Sequence, residues 1–221
     1  MTPVAQLYFL PGAGSFAPHV MLEEAGIAHE LHRVVRDEQS VPVEPANYLA
    51  LNPSGRIPTI VWANGTVQTE SAAICVTAAE AANRASLIPA IGNAERAEVL
   101  ARLFFLSNTV QVAILRARYP DRFADDDAGR ASVAARGNRD LMELRDRCAN
   151  WYADGKPFLR GEEPGVDDLF LGMLIRWTRL SAVPWWDNAT LSDLYDRFQA
   201  VPSVARAREQ EQFAARPPAG T

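Results

Sequence analysis

The sequence has few cysteines and no long apolar run, and each shortage argues against a class of function. Cys75 and Cys148 are the only cysteines among the 221 residues. Neither belongs to a C-x-x-C pair, so dithiol redox chemistry and a thiolate zinc site are not expected. No uninterrupted apolar run approaches the roughly 20 residues of a membrane helix, and no signal-peptide pattern opens the chain. We therefore expect a cytoplasmic protein with no membrane partner and no metal.

Positive charge is also in short supply. The chain has 22 Lys and Arg against 27 Asp and Glu, a net charge of −5. Because nucleic-acid binding requires a basic surface, nucleic acid is not an expected partner. The remaining composition is that of an ordinary globular protein, 48% hydrophobic and 22% charged. Its length suits one large domain or two small ones.

Residues 1–82 predict a small domain of mixed strands and helices. VAQLYFL (4–10) predicts a strand, residues 15–25 a helix, and HELHRVV (29–35) a second strand parallel to the first. IPTIVW and TVQT flank an Asn-Gly pair at 64–65, a strong hairpin signal because both residues tolerate positive φ. An alanine-rich helix follows.

Beyond this domain the pattern becomes almost entirely helical. Residues 83–93 contain proline and glycine and predict a linker. Amphipathic runs over 94–117 and 128–154 predict long helices, and the mostly apolar 166–180 predicts a core helix. The predicted second domain is therefore all-α and covers 94–221.

Four segments carry a resemblance to the cytosolic glutathione transferases. LYFLPGAGSFAPHVMLEEAG resembles the first strand, active-site loop and first helix of the bacterial beta-class members. NPSGRIPTI is similar to N-P-x-G-x-V-P-x-L, TESAAI to E-S-x-A-I, and GEEPGVDDLFLG to the G-x-x-x-S/T-x-x-D motif of the second domain. Their order and spacing match the family over nearly the whole chain. The resemblance implies the glutathione transferase fold, a homodimer, and glutathione as co-substrate.

The resemblance also assigns the glutathione-binding residues to the first domain. It implies a cis Ile57-Pro58 bond beside Arg56, with the Ile57 backbone pairing with the cysteinyl part of glutathione. Glu70 and Ser71 open a helix, where free N–H groups and the helix dipole favour a carboxylate. Ser71 would hold the γ-glutamyl carboxylate and Glu70 its ammonium group. The alternative is a helix cap without a ligand.

The glycine-rich segment PGAGSF raises the question of which group stabilises the glutathione thiolate, the attacking nucleophile. A helix N-terminus and a hydroxyl donor both favour the ionised thiol, which makes Ser15 the leading catalytic candidate. Tyr8, a backbone N–H and a residue of the second domain are the alternatives, and a capping role for Ser15 would contribute ~1 kcal/mol without catalysis. Gly14 stands where beta-class members carry cysteine, so disulfide exchange through this position is not expected.

The electrophile pocket is expected beside the opening loop and the first helix of the second domain. That helix lacks the beta-class histidine. The expected lining residues, for each of which core packing is the alternative, are Phe16, Asn108, Val112, Leu115 and Trp177.

Two further residues are given structural roles. Asp168 is expected to cap the helix that follows Gly165, a glycine in place of the family's hydroxyl residue. His19 is expected to pack or to lie on a helix surface.

The expected function is a detoxifying glutathione transferase, whose thiolate attacks a small hydrophobic electrophile. Conjugation, isomerisation, ether cleavage and dehalogenation all use this thiolate and stay open. The alternative is a glutathione- or apolar-ligand-binding protein of the same fold with little or no catalytic activity, because the family's cysteine and histidine are replaced. A member that no longer uses glutathione is a third hypothesis, against which Glu70 and Ser71 argue.

Overall fold

The computed structural model describes residues 4–214, which form two compact units. One unit combines the chain up to Ile88 with the chain from Val201 onward, and the other runs from Pro89 to Ala200. The first contains a mixed sheet flanked by helices, and the second is helical. The predicted fold class, a thioredoxin-like N-terminal domain followed by a helical domain, is confirmed.

A four-stranded sheet in the order β2-β1-β5-β6 forms the centre of the first unit. β1 pairs parallel with β2 and antiparallel with β5, so the predicted crossover and hairpin are both confirmed. The hairpin turns at Gly65, whose φ of 85° suits glycine. A small β3–β4 pair was not predicted, and the short α2 lies in the stretch before the hairpin that was expected to be irregular or helical. The elements are β1 (Ala5–Phe9), α1 (Phe16–Ala25), β2 (His29–Arg33), β3 (Val35–Arg36), β4 (Pro42–Glu44), α2 (Tyr48–Leu51), β5 (Thr59–Val61), β6 (Val67–Thr69) and α3 (Ser71–Ala81).

Five helices form most of the second unit. α7 is buried over nearly its whole length, as its apolar sequence predicts, and it packs against α4 and α8. α4 and α5 are joined by a π-helical turn, Leu106–Val110, and π-helical turns occur often at functional sites. The elements are α4 (Ala94–Phe105), α5 (Gln111–Arg118), α6 (Asp127–Asn150), α7 (Val166–Trp177) and α8 (Ala189–Ala200).

The continuous helical stretch Ala94–Arg118 is long and apolar enough to cross a membrane, with a mean hydropathy of 1.4 in its most apolar window. Core helices of soluble proteins meet the same criterion. In this unit α4 packs against α7, and α5 packs against α6. The absence of a membrane partner stays a prediction.

The start of α7 is held by a buried carboxylate. Asp168 Oδ2 accepts a hydrogen bond from the Gly165 N–H at 2.9 Å. Its Oδ1 accepts from the Tyr152 hydroxyl at 2.8 Å and from the Leu159 N–H at 3.0 Å. Burial, together with the neighbouring charge of Asp167, raises the pKa of Asp168 to about 7. The structural role expected for Asp168 is therefore confirmed.

The last helix, α9 (Pro202–Glu211), belongs to the first unit and not to the helical one. The predicted second domain, 94–221, continued to the end of the chain. The structure differs because α9 packs on α1, and Arg206 on α9 donates a hydrogen bond to Glu23 on α1 at 2.7 Å. An amphipathic helix does not reveal from its own sequence which partner covers its apolar face.

Candidate functional site

The opening loop, the Pro58 turn and the start of α3 meet at Gly14. A Cβ atom built on Gly14 would lie 3.2 Å from the Ile57 carbonyl oxygen, 3.3 Å from Ser71 Oγ and 3.7 Å from Pro58 Cδ. More than 40 residues separate Gly14 from Ile57, and more than 10 residues separate Pro58 from Ser71. These contacts therefore join three separate segments of the chain. The structure thus brings together the loop, the proline and the serine that the sequence analysis assigned to one site.

The Ile57-Pro58 bond is cis, as predicted. Within residues 4–214, the Ile57 N–H and carbonyl make no hydrogen bond, although Thr59 begins the paired strand β5. An extended peptide could therefore add to the sheet at this position through main-chain hydrogen bonds. The Arg56 side chain is exposed beside it.

Three residues that the sequence analysis did not single out hold this turn. Asn52 Nδ2 donates to the Arg56 carbonyl at 2.9 Å and to Thr59 Oγ1 at 3.0 Å. The Tyr48 hydroxyl donates to the same carbonyl and lies 2.9 Å from Thr59 Oγ1. Asn52 Oδ1 in turn accepts from the Ser54 hydroxyl at 2.7 Å. The only sequence signal for this network is the asparagine of the N-P-x-G motif.

The start of α3 is uncapped by its own residues. Glu70 has φ 73° and ψ 116°, a conformation that costs a residue with a side chain about 1–3 kcal/mol. Its side chain caps nothing, and it is exposed, whereas Ser71 is 9% exposed. Within the described chain neither the Glu70 carboxylate nor the Ser71 hydroxyl makes a hydrogen bond. The ligand-free capping alternative therefore has no contact to support it.

Ser15 is fully buried, and its hydroxyl turns back into the loop. Ser15 Oγ donates to the Leu10 carbonyl at 3.1 Å and accepts from the Leu10 N–H at 3.2 Å. It makes no side-chain capping bond to α1. Over residues 4–214 the backbone N–H groups of Gly14 and Ser15 donate to no protein atom. The polar groups left available at the start of α1 are therefore backbone groups and not the serine hydroxyl.

Tyr8 lies in a separate apolar cluster. It packs with Val34 and Tyr48 and stacks on His32 with ring centroids 5.0 Å apart. Burial raises the pKa of its phenol, so the phenol stays neutral. These contacts hold the ring in the core.

The opening loop is tied to α9 by one carboxylate. Glu211 Oε2 accepts from the Gly12 N–H at 2.8 Å, and Glu211 Oε1 lies 2.9 Å from His19 Nδ1. Both side chains of this pair are buried. The packing role expected for His19 thus includes a specific polar partner, which the sequence could not reveal because the two residues are 192 positions apart.

The residues expected to line an electrophile pocket are distributed over the two units. Phe16 is buried in the first unit and packs edge-on against Phe213, with ring centroids 4.8 Å apart. In the second unit, a cleft of about 340 Å³ between α5 and α6 is lined by Asn108 and Val112 but not by Leu115 or Trp177. Its further lining residues are Thr109, Ala113, Arg116, Arg136, Asp140, Glu143 and Leu144.

Neither cysteine is a usable nucleophile. Both thiols are free and buried. Burial raises the pKa of Cys75 far above its ordinary value, and it raises the pKa of Cys148 to about 12. Because thiolate is the reactive form, a sulfur nucleophile at this site has to come from a bound ligand.

Comparison with known proteins agrees with this geometry. Residues 15–81 match the family model of the glutathione S-transferase N-terminal domain. The uncharacterized GST-like protein YncG of Escherichia coli strain K12 is 26% identical over 214 residues, which cover 94% of this chain and 98% of YncG.

Two solved structures extend the likeness to the whole fold. BphK, a bacterial GST solved as a ternary complex, is 27% identical with a TM-score of 0.76, covering 94% of this chain and 100% of BphK. The beta-class glutathione S-transferase of Sphingomonas chungbukensis is 25% identical with a TM-score of 0.80, covering 95% of this chain and 100% of its own. Together these matches show that the chain has the glutathione transferase fold and that its first unit is similar to the N-terminal domain of that family.

Proposed function

We propose that this protein is a glutathione transferase that binds glutathione on its first unit and presents the thiolate to a small hydrophobic electrophile. The observation that carries the proposal is the meeting of Gly14, Ile57, Pro58 and Ser71 at one point. It supplies an unpaired peptide edge and an uncapped helix start, which suit a peptide that ends in a carboxylate.

In this proposal each end of glutathione has its own partner. The Ile57 N–H and carbonyl pair with the cysteinyl peptide group, and the Ser71 hydroxyl donates to the γ-glutamyl carboxylate. The Glu70 carboxylate accepts from the γ-glutamyl ammonium group, and Arg56 adds a positive charge at the rim. The strained φ of Glu70 supports this assignment, because such strain concentrates at ligand sites.

The thiolate is stabilised, we infer, by the N-terminus of α1 through the Ser15 backbone N–H. The Ser15 hydroxyl already donates to the Leu10 carbonyl, so it acts as a positioning group for the loop. The partial positive charge at a helix N-terminus favours an anion. Because Gly14 has no side chain, the loop approaches the Ile57 carbonyl oxygen and Ser71 Oγ more closely than a residue with a Cβ atom would readily allow.

Calorimetric titration with reduced glutathione tests the binding site. We expect saturable binding, weakened at least about tenfold by Glu70→Gln, because an ionic hydrogen bond contributes roughly 1.5–3 kcal/mol. Glu38→Gln, on the exposed β3–β4 turn, is the matched control and should leave affinity unchanged. No binding at millimolar glutathione, or equal losses in both variants, would refute the proposal.

The origin of thiolate stabilisation is tested by the ultraviolet absorbance of bound glutathione as a function of pH. Ser15→Ala should leave the pKa of the bound thiol unchanged. Ser15→Pro removes the N–H at a residue whose φ of −75° suits proline, and it should raise that pKa. If Ser15→Ala also raised the pKa of the bound thiol, the Ser15 hydroxyl would be the group that stabilises the thiolate.

A second candidate function is binding of glutathione with little catalysis. The absence of a cysteine side chain at Gly14 and the engagement of the Ser15 hydroxyl favour it. Tight glutathione binding with no turnover over a panel of aryl halides, epoxides, enones and disulfides would support this candidate over the enzyme.

Two more features belong to the proposal. The electrophile is held by apolar side chains of the second unit that include the α5 residues Val112 and Leu115, and the protein acts as a homodimer. Light scattering coupled to size-exclusion chromatography measures the oligomeric state directly, and a monomer at micromolar concentration would contradict the proposed homodimer.

A further inference from the structure

The first unit contains a histidine–carboxylate cluster that the glutathione site does not use. His19 and Glu23 lie one turn apart on α1, and His29 begins β2. One nitrogen of each histidine and one carboxylate oxygen of Glu23 lie within 4.8 Å of one another. His19 is fully buried, and the other two side chains are largely buried.

Both histidines hold their Nδ1 atoms against fixed acceptors. His29 Nδ1 is 2.8 Å from the Ile27 carbonyl oxygen, which can only accept, so Nδ1 carries the proton. His19 Nδ1 is 2.9 Å from the Glu211 carboxylate, which also accepts. In a neutral His29 ring the lone pair is then on Nε2, whereas His19 Nε2 also faces an acceptor, the Gln210 amide oxygen, which a metal ion has to displace. Backbone carbonyls and carboxylates orient metal-binding histidines in this way.

The carboxylate of Glu23 is oriented as well. Its Oε2 accepts from Arg206 Nε at 2.7 Å, while its Oε1 faces the histidines and lies 3.8 Å from His29 Nε2. With Zn–N and Zn–O bonds of about 2.0–2.2 Å, tetrahedral ligand atoms lie about 3.4 Å apart. The spacing of His29 Nε2 and Glu23 Oε1 therefore already approaches the required value.

We propose that His19, Glu23 and His29 form a binding site for Zn²⁺ or a similar divalent transition metal. Two imidazole nitrogens and one carboxylate oxygen are ligands that zinc prefers, and three protein ligands leave a fourth position for water. The site joins α1 to β2. Through the Glu211 bridge it also reaches the Gly12 N–H of the opening loop.

Gln210 on α9 controls access to this site. Its Oε1 lies 2.7 Å from His19 Nε2, and its Nε2 donates to Glu23 Oε1 at 3.0 Å. The amide thus occupies the space between two of the ligand atoms, and a metal ion has to turn it aside. Because Gln210 is exposed, its side chain can rotate into solvent.

The test is titration of tag-free, chelator-treated full-length protein with Co²⁺ and Zn²⁺ in the absence of glutathione. We expect one ion per chain, a visible Co²⁺ absorption band, and displacement of Co²⁺ by Zn²⁺. His29→Ala and Glu23→Gln should weaken binding at least about tenfold, while Gln210→Ala should strengthen it. His32→Ala is the matched control, because His32 lies on the same strand but outside the cluster.

Two outcomes would overturn the proposal. One is the absence of saturable binding at micromolar metal. The other is an equal loss of binding in His29→Ala and His32→Ala, which would indicate adventitious surface binding. Far-ultraviolet circular dichroism of each variant shows that a lost signal does not come from unfolding.

Discussion

The helices α3 and α7 both begin with an acidic residue nearby, but the two helix starts are used in opposite ways. At α7 the Asp168 carboxylate is buried and accepts three hydrogen bonds from protein groups. At α3 the Glu70 carboxylate is exposed, and the backbone that carries it is strained. Satisfied polar groups stabilise a fold, whereas unsatisfied ones at a strained helix start are available to a ligand.

The largest effect is expected when the hydrogen bonds to Asp168 at the start of α7 are removed. Asp168→Ala leaves the Tyr152 hydroxyl and the N–H groups of Leu159 and Gly165 without their acceptor. Because an unsatisfied buried donor costs about 1–3 kcal/mol, the free energy of unfolding should fall by about 3 kcal/mol or more. Urea denaturation measures it. Asp193→Ala, at an exposed position on α8, should change it by less than about 0.5 kcal/mol.

The same carboxyl gives stability a pH dependence. The pKa of Asp168 is raised from 3.8 to about 7 in the folded protein, so the folded state holds a proton that the unfolded chain releases. The contribution to stability is complete below pH 3.8 and is lost as the pH rises towards 7. The slope is about −1.4 kcal/mol per pH unit.

Urea denaturation of the wild type and Asp168→Asn at pH 5, 6 and 7 checks this dependence. The wild type should lose stability relative to the variant as the pH rises, since the variant cannot titrate at this position. A difference that stays constant or grows with pH would show that the folded-state pKa is not raised.

At the start of α3, a substitution is expected to change glutathione binding and not the stability of the fold. Ser71→Ala removes the hydroxyl donor proposed for the γ-glutamyl carboxylate and should weaken glutathione binding about tenfold. The melting temperature should stay the same, because Ser71 Oγ bonds to no group in the described chain. Ser132→Ala, exposed on α6, is the control, and an equal loss of affinity there would contradict the assignment.

The smallest effect expected is a gain in stability where strain is released. Glu70→Gly accommodates φ 73° without strain but adds freedom to the unfolded chain, so the free energy of unfolding should rise by about 1 kcal/mol or less. Ala73→Gly, exposed within α3, should lower it by about 1 kcal/mol. Glutathione binding should be lost only in Glu70→Gly. A loss of stability in Glu70→Gly would show that the strain is already compensated in the fold.

Local signals made much of the fold predictable. The Asn-Gly hairpin, the parallel β1–β2 pair and the apolar α7 follow from turn chemistry and hydrophobic periodicity, which act over a few residues. The small β3–β4 pair was not predicted, because strands of two and three residues are too short to show an alternating hydrophobic pattern. The segment from Val201 onward was predicted to belong to the helical domain, since periodicity marks a helix but not its partner.

The candidate site, like the fold, was predictable only in part from the sequence. Motif spacing pointed to Ile57, Pro58, Glu70 and Ser71, whose roles as glutathione ligands stay predictions. The hydroxyl of Ser15 could equally have faced a ligand, the helix or its own loop, and these alternatives differ only by a side-chain rotation.

The sequence by itself determined the mixed first domain, the helical second one and the structural role of Asp168, because each depends on neighbours a few residues away, and the resemblance to the glutathione transferases implied the cis Ile57-Pro58 bond. Only the tertiary structure decided that the Ser15 hydroxyl bonds to Leu10, that Asn52 and Tyr48 hold the Pro58 turn, and that Glu211 reaches Gly12. Contacts across 199 residues depend on how elements pack, and packing leaves no signal at a fixed spacing along the chain.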